Sequence, residues 1–411
     1  FEAWLRDMRM SFAGGGDTAP VAPAGGDHAT RPVRLVLAEP APGDDAPFVT
    51  RVTVQEVSKY VCERTLATTD RLRAPAETAA GAAVEIRCTV KSFGTAAQVH
   101  LEAIGLSDGV ALCSLFREYP CSAAALLRRP DYRQLVAEFG EEIVFKLPSL
   151  HARGPQAPQH MLAQVHAGIA DIFSYETNRL NAAEGKLLAA YERTGNPSIL
   201  IWLAWQKTTQ VMEEATEDKE SATELARYYC AKALEAEPHS AFANAMSSLV
   251  HMIHFDDVDA SFLLADRASS LSRFDPYVQA AIATANMFAG RPKDAARNSL
   301  VGTRLSRFTG NAHWWDLSHS LACLANGDLV ASEKYALRAS SASPKFRAPK
   351  RVLLALYASQ ERVAQAIAQM DALKRVEPTF DIDRFLRDQD YPNTTVRNAG
   401  LLQDTAKFDL Q

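Results

Sequence analysis

The hydrophobic positions of the chain divide it into two regions with different periods. Between residues 32 and 150, strand-like alternation is interrupted by stretches of helical spacing, whereas residues 151–380 are helical almost throughout. Apolar residues every three or four positions are typical of amphipathic helices, and alternating ones of half-buried strands. The pattern therefore predicts a mostly helical protein with a smaller α/β domain.

The first region is predicted to fold in the order β-α-β-β-β-α. Its segments are a strand at 34–40, a helix at 48–67, strands at 83–94, 96–109 and 110–119, and a helix at 130–147. The last three strands are consecutive, and the sequence LSDG provides a hairpin turn between the final two. We therefore expect a mixed or antiparallel sheet with helices on one face.

Two further segments precede this region. Residues 1–12, FEAWLRDMRMSF, place their large apolar side chains on one stripe and are predicted to be an amphipathic helix. Residues 13–31 are rich in glycine, alanine and proline, which predicts a flexible linker. The glycines of this linker do not form a phosphate-binding loop, because no strand precedes them and no helix follows.

Small residues recur in the helical region with a fixed period. Each group has spacings of four and three residues, and proline often follows five residues later. The groups begin at residues 226, 261, 295, 332 and 366, which lie 35, 34, 37 and 34 residues apart. A period of about 34 residues is that of tetratricopeptide helix hairpins. The sequence thus predicts a helical solenoid over 151–380, with a degenerate helix pair at 160–215 and a C-terminal cap at 381–411.

Three stretches at the C-terminal end carry a resemblance to a known family: NAHWWDLSHSLACLANGDLVASEKYALRASSASPKFRAPKRVLLALYA, RVEPTFDIDRF and DYPNTTVRNAGL. With the repeats, they resemble the C-terminal half of bacterial CadC- and SARP-like transcriptional regulators, often labelled adenylate-cyclase-like tetratricopeptide proteins. The resemblance implies that residues 32–150 form a TolB-like α/β domain and that FEAWLRDMR ends an upstream activation repeat domain. The first strand departs from the family, since it ends in LAEP rather than in proline-phenylalanine.

The resemblance implies a regulatory, protein-interaction portion of a cytoplasmic bacterial transcriptional regulator. These residues contain no winged-helix sequence. DNA would therefore be contacted by a winged-helix domain upstream of them. Partner binding or self-association would use the groove of the repeats, and a small molecule would fit between the α/β domain and the first helices. The alternative is a tetratricopeptide scaffold in signalling or secretion with no role at DNA.

Composition narrows these possibilities. The formal net charge of −5 gives no basic field for nucleic acid, and no apolar run approaches the length of a membrane span. None of the six cysteines lies in a CxxC or zinc-like pattern, which favours buried free thiols and a cytoplasmic location.

No catalytic or cofactor motif occurs in a fitting context, so we expect neither an enzyme nor a cofactor. His251 and His254 could share a metal, but a polar turn is the favoured interpretation.

The stretch NAHWWDLSH supplies the most conspicuous candidate for binding. Helical geometry places Trp314 on a core stripe, and it leaves Trp315 with His319 as candidates for the groove, although joint packing of both tryptophans is favoured. The basic stretch KFRAPKR could contact phosphate, or could simply be solvated. The candidate partner contacts are Trp315, His319, Arg304, Arg307, Lys345 and Lys350.

Overall fold

The computed structural model describes residues 33–70, 83–106, 108–151, 161–255, 257–272, 274–307 and 309–408. The predicted helix at 1–12 and the predicted linker at 13–31 lie outside these residues. The described chain begins with an α/β unit, continues as a long array of helices, and ends in short C-terminal elements. The predicted combination of a mostly helical chain with a small α/β unit is confirmed.

The α/β unit contains a five-stranded sheet among the described residues. Its elements are β1 (Arg34–Leu37), α1 (Pro47–Arg64), β2 (Thr68–Asp70), β3 (Ala83–Phe93), β4 (Ala96–Gly105), β5 (Ala111–Tyr119), a 3-10 helix (Ala123–Arg128) and α2 (Pro130–His151). The strand order is β2-β1-β3-β4-β5. β1 runs parallel to β2 and β3, whereas β3, β4 and β5 are antiparallel. The predicted mixed sheet is confirmed, but β2 was not predicted because three residues are too few to show alternation.

One face of the sheet is buried against α1 and α2. Along β4, Val99 and Leu101 are fully buried, whereas the intervening His100 is partly exposed. This alternation arises because successive side chains of a strand point to opposite faces. The helices therefore lie on one face of the sheet, as predicted.

The helical array is built from consecutive hairpins. Its helices are α3 (Met161–Ile172), α4 (Thr177–Thr194), α5 (Pro197–Met212), α6 (Lys219–Ala236), α7 (Ala241–Phe255), α8 (Val258–Leu271), α9 (Pro276–Phe288), α10 (Pro292–Leu305), α11 (Ala312–Ala325), α12 (Leu329–Ala342), α13 (Arg347–Ser359) and α14 (Val363–Val376). From α5 onwards they pair as five hairpins. Residues 160–215 contain three helices rather than the predicted pair, because Gly195 ends α4 in a left-handed conformation before Pro197 begins α5.

The recurrent small residues lie on the second helix of each hairpin, where they are buried. Ser261 and Ser332 begin two of these groups, and their hydroxyls meet those of Ser248 and Ser320 on the preceding helices at 3.0 and 3.1 Å. Small side chains allow this close approach of the helix backbones. The buried members are Ala226, Cys230, Ala233, Ser261, Ala265, Ala268, Ala295, Ser299, Gly302, Ser332, Ala336, Ala339, Ala366 and Leu373.

The array curls until the loop before α4 meets the last hairpin and the first hairpin meets the fourth. The ring of Tyr175, before α4, stacks on Phe346, before α13, with centroids 3.9 Å apart. Trp205 of α5 meets Trp314 of α11 edge to face at 5.4 Å. The first helices of the five hairpins therefore surround one shared interior instead of lining an open groove.

The α/β unit is fixed to the array by polar groups at the end of α1. Arg64 donates to Asp275 at 2.7 Å, and both side chains are buried. Glu63 accepts hydrogen bonds from the hydroxyl of Ser240 and the backbone N–H of Ala241, at the start of α7. We call Glu63, Arg64, Ser240 and Asp275 the α1 clamp. Because a buried charge is costly unless it is paired, the clamp specifies one docking position for the α/β unit.

The C-terminal elements fold back over the array. α15 (Ile382–Arg387), α16 (Thr394–Asn398) and a 3-10 helix (Thr405–Phe408) follow the last hairpin. α16 packs on α11, which belongs to the preceding hairpin. The predicted cap is thus also a cover for the inner side of the array. Within the described part of the chain, no helix has the length and apolar character needed to cross a membrane.

The first prediction tests the small-residue contacts. Ala366 is fully buried on α14, whereas Ala368 on the same helix is exposed. We expect Ala366→Leu to lower the free energy of unfolding by about 1–3 kcal/mol, because the added atoms force the helices apart. Ala368→Leu should change it by less than about 0.5 kcal/mol. Urea denaturation measures both, and equal effects would contradict close packing at Ala366.

The second prediction concerns pH. Burial and the neighbouring Asp275 carboxylate raise the pKa of Glu63 from 4.5 to about 7. The folded protein thus retains a proton that the unfolded chain has released, so the free energy of unfolding falls as pH rises through this window. We expect Glu63→Gln to remove about 1–3 kcal/mol of this fall. Urea denaturation at pH 5 and pH 7.5 measures the free energy of unfolding, with the exposed Glu235→Gln as control. If Glu63→Gln lost as much stability between the two pH values as the unmodified protein, the assignment to Glu63 would be refuted.

Candidate functional site

A chamber of about 650 Å³ lies on the inner side of the array. Its wall is formed by α5, α7, α9, α11 and α13, by the start of α6, and by the C-terminal segment 389–396. This volume is within the usual range for sites that bind small organic molecules. The chamber is therefore the candidate functional site. It does not lie between the α/β unit and the first helices, where a ligand was predicted.

The helix α11 contributes an apolar stripe to the chamber. Trp314, Leu317, Ser318, Leu321 and Ala322 all line it. Their positions are i, i+3, i+4, i+7 and i+8, which form one face of a helix. Further apolar lining comes from other helices and includes Trp205, Leu249, Ile253, Met287 and Phe288.

A histidine and two threonines form a polar patch in this wall. His254 Nε2 lies 3.1 Å from the hydroxyl of Thr208, and Nδ1 lies 3.3 Å from that of Thr223. Burial lowers the pKa of His254 to about 4, so the imidazole is neutral at pH 7.

The proposed pairing of His251 with His254 on a metal does not fit these contacts. His251 Nδ1 points towards Asp257 at 3.8 Å, whereas both nitrogens of His254 face hydroxyls. No group of three or more metal-ligating side chains occurs among the described residues.

Two buried polar atoms at the chamber wall have no hydrogen-bond partner among the described residues: the hydroxyl of Tyr175 and Oε1 of Glu213. Their side chains are only 3% and 1% exposed. Tyr175 also adopts a φ of 56°, a left-handed conformation that is rare for a bulky residue. Buried polar atoms are normally hydrogen-bonded, so these two require an explanation.

Arg351 connects the chamber wall to both ends of the array. Its guanidinium donates to Tyr391 Oη at 2.9 Å, to the carbonyl oxygen of Met212 at 2.7 Å, and to Glu377 Oε2 at 2.7 Å. Tyr391 Oη in turn donates to Glu377 at 2.8 Å. One buried cation therefore joins the first hairpin, the last hairpin and the C-terminal segment.

The two predicted groove residues of α11 do not line the chamber. Trp315 is 2% exposed, and its ring lies 4.8 Å from that of Tyr277 and beside Gly302. His319 is 5% exposed and contacts the hydroxyl of Ser299 at 2.8 Å. Their prediction as groove contacts is wrong, because the array curls to turn Trp314 inward and to press Trp315 against α10.

The basic candidates also lie outside the chamber. Arg304 and Arg307 are exposed near the end of α10. Burial raises the pKa of Glu138 on α2, and Arg307 is one of the cations that oppose this rise. Lys345 is exposed before α13, whereas Lys350 is 5% exposed and donates to Ser340. The interpretation of KFRAPKR as a phosphate-binding stretch is not supported, since Arg347 and Arg351 point into the protein.

The contact between Ser299 and His319 has the geometry of a nucleophile and its base. Both side chains are buried, and burial lowers the pKa of His319 to about 4. A base with this pKa accepts a proton poorly at pH 7, and a substrate has no access to the hydroxyl. The pair is therefore a packing contact between α10 and α11.

Several chamber residues were not singled out from the sequence. Tyr175 and Tyr391 come from segments far from the end of α5, which carries Trp205 and Glu213, so no local spacing connects the four residues. The sequence signal for this site was the apolar run ILIWLAW, residues 199–205. Its seven consecutive apolar residues are more than a helix with a single buried face requires. Such a run is typical of a helix buried on more than one side.

Comparisons with known proteins give little further information. No protein-family model matches the chain, and a search of curated proteins gives no match. A chain in the "Crystal structure of APC/C hetero-tetramer Cut9-Hcn1" is similar with a TM-score of 0.45 and 11% identity, over 69% of this chain and 56% of that chain. The chain thus matches little more than half of that neighbour's length. The helical-hairpin architecture consequently rests on the helices described above.

The third prediction tests the Arg351 network. We expect Arg351→Met to lower the free energy of unfolding by about 3–5 kcal/mol, because it leaves the Glu377 carboxylate buried without its cation. Arg375→Met, at an exposed position of α14, is the matched control and should have little effect. Thermal and urea denaturation measure both variants. A loss below 1 kcal/mol for Arg351→Met would show that the network does not hold the array closed.

Proposed function

We propose that this chain is the regulatory, protein-interaction part of a cytoplasmic bacterial transcriptional regulator of the CadC- and SARP-like kind. In this proposal the α/β unit is the TolB-like domain, and DNA is contacted by a domain outside the described residues. The chain itself binds and transmits a signal, and it catalyses no reaction.

The observation that carries the proposal is the chamber and its connection to the α/β unit. α7 and α9 line the chamber with Leu249 and Thr284, and their N-terminal ends receive Glu63 and Arg64 in the α1 clamp. Occupancy of the chamber can therefore shift two helices that hold the α/β unit. A ligand shifts such an equilibrium only by its differential affinity for the two states.

The convex side of the array supports the protein-interaction part of the proposal. Leu263 on α8 is 72% exposed and Val330 on α12 is 81% exposed, both on second helices of hairpins. These side chains are accessible to a partner or to a second copy of the chain. They equally suit the alternative, a scaffold with no role at DNA, which differs in having no DNA-binding domain in the full reading frame.

The fourth prediction separates these alternatives. In a gel shift with its own promoter region, we expect the 411-residue chain to show no sequence preference, because its net charge of −5 provides no basic surface. The full reading frame should produce a specific shift that unrelated DNA does not compete away. Specific binding by the 411 residues alone would refute the proposed division of labour. Absence of binding by the full frame would favour the scaffold.

A further inference from the structure

We propose that the chamber binds an uncharged amphipathic small molecule, with its apolar body against Trp205 and Trp314 and a hydroxyl or amide head group at Tyr175 and Glu213. This inference deepens the proposed regulatory role by naming a class of ligand. Binding itself does not depend on that role, and it can be measured whether or not the chain regulates transcription.

The wall of the chamber selects an apolar body. Trp205 and Trp314 lie edge to face, and Leu249, Leu321 and Phe288 complete the surface around them. Burial of apolar ligand surface stabilises a complex by about 25 cal/mol per Å² before the costs of association. A volume of about 650 Å³ accepts a molecule of this kind but excludes a folded partner.

The chemistry of the head group is inferred from the two buried atoms that have no hydrogen-bond partner among the described residues. Oε1 of Glu213 requires a donor, whereas the hydroxyl of Tyr175 can donate or accept. Oε2 of Glu213 already accepts from the backbone N–H of Arg347 at 2.8 Å, so the carboxylate is held in place. Neither atom has accessible surface in this structure, so a head group contacts them only when the side chains around them move. A hydroxyl or a primary amide supplies both a donor and an acceptor, and therefore satisfies the pair.

Charge at the chamber excludes anionic ligands. Glu220, Glu224 and Asp390 line it, and His254 is neutral because its pKa is about 4. Among the described lining residues, the cations Lys219 and Arg351 are already paired with Glu214 and Glu377. A phosphate or carboxylate would thus meet acidic side chains in the lining, at a desolvation cost that these two paired cations do not offset.

The C-terminal segment covers one side of the chamber. Residues 389–396 line the chamber, and α16 contacts α11 beside the tryptophan stripe. Tyr391 is held there by Arg351 and Glu377, and Asn393 donates to the carbonyl oxygen of Phe385 at 2.6 Å.

Two related fluorescent probes test the apolar body and the charge selection. N-phenyl-1-naphthylamine is neutral and carries an N–H donor, and 8-anilino-1-naphthalenesulfonate adds a sulfonate to the same rings. We expect the intact 411-residue chain to bind the first probe at least about tenfold more tightly than the second. Equal or stronger binding of the sulfonate would overturn the inference.

A substitution that fills the chamber locates the probe. Ser318→Leu adds a larger side chain in the middle of the α11 stripe, and Ser341→Leu makes the same change at an exposed position of α12. We expect Ser318→Leu to weaken binding of the neutral probe about tenfold and Ser341→Leu to leave it unchanged. Circular dichroism checks that both variants are folded. Unchanged binding in a folded Ser318→Leu would place the probe elsewhere and overturn the inference.

The head group is tested by displacing the neutral probe with 1-decanol and with decanoate, which share a ten-carbon chain and differ in the head group. We expect displacement by 1-decanol but not by decanoate at pH 7.5. Tyr175→Phe should weaken 1-decanol about 2- to 10-fold without loss of stability, since it removes a hydroxyl that has no partner. Preference for decanoate, or no effect of Tyr175→Phe, would overturn the head-group assignment. Probe binding by the chain together with no specific gel shift by the full reading frame would refute the regulatory proposal alone.

Discussion

The closure of the array depends on the buried guanidinium of Arg351. A cation with 1% exposure is stable only when acceptors surround it, and here they come from Met212, Glu377 and Tyr391. These residues belong to the first hairpin, the last hairpin and the C-terminal segment. The cation can be satisfied only when all three are in place. The shared aromatic interior and the chamber exist because this condition brings distant repeats together.

The α1 clamp likewise depends on a buried arginine, at the N-terminal ends of α7 and α9. Arg64 is buried among the rings of Tyr60, Phe242 and Tyr277 and forms its ion pair with Asp275. Buried ion pairs contribute little net stability, but they penalise every arrangement that separates the partners. The α/β unit and the C-terminal segment are thus both positioned by buried arginines, and α7 and α9 extend from the clamp to the chamber.

The sequence predicted what depends on local spacing. The groups that contain Ala265 and Ala336 identified the second helices of the hairpins, because close helix contacts demand small residues at fixed intervals. The orientation of Trp314 and Trp315 could not be predicted in this way. Both lie on buried sides of α11, and the curl of the whole array decides which one faces the interior. For the same reason KFRAPKR resembled a solvated stretch, although its arginines satisfy carboxylates more than 25 residues away.

Closure also has a consequence for the evolution of the chain. An open solenoid tolerates duplication or loss of a repeat, because each repeat contacts only its neighbours. In this array the stacking of Tyr175 on Phe346 joins a loop before the first of the five hairpins to the start of the last. Insertion of another hairpin would separate these rings and open the interior. It would also remove the hydrogen bond from Arg351 to the carbonyl oxygen of Met212. The number of hairpins is therefore fixed by geometry, and variation is confined to the outer surfaces of the second helices.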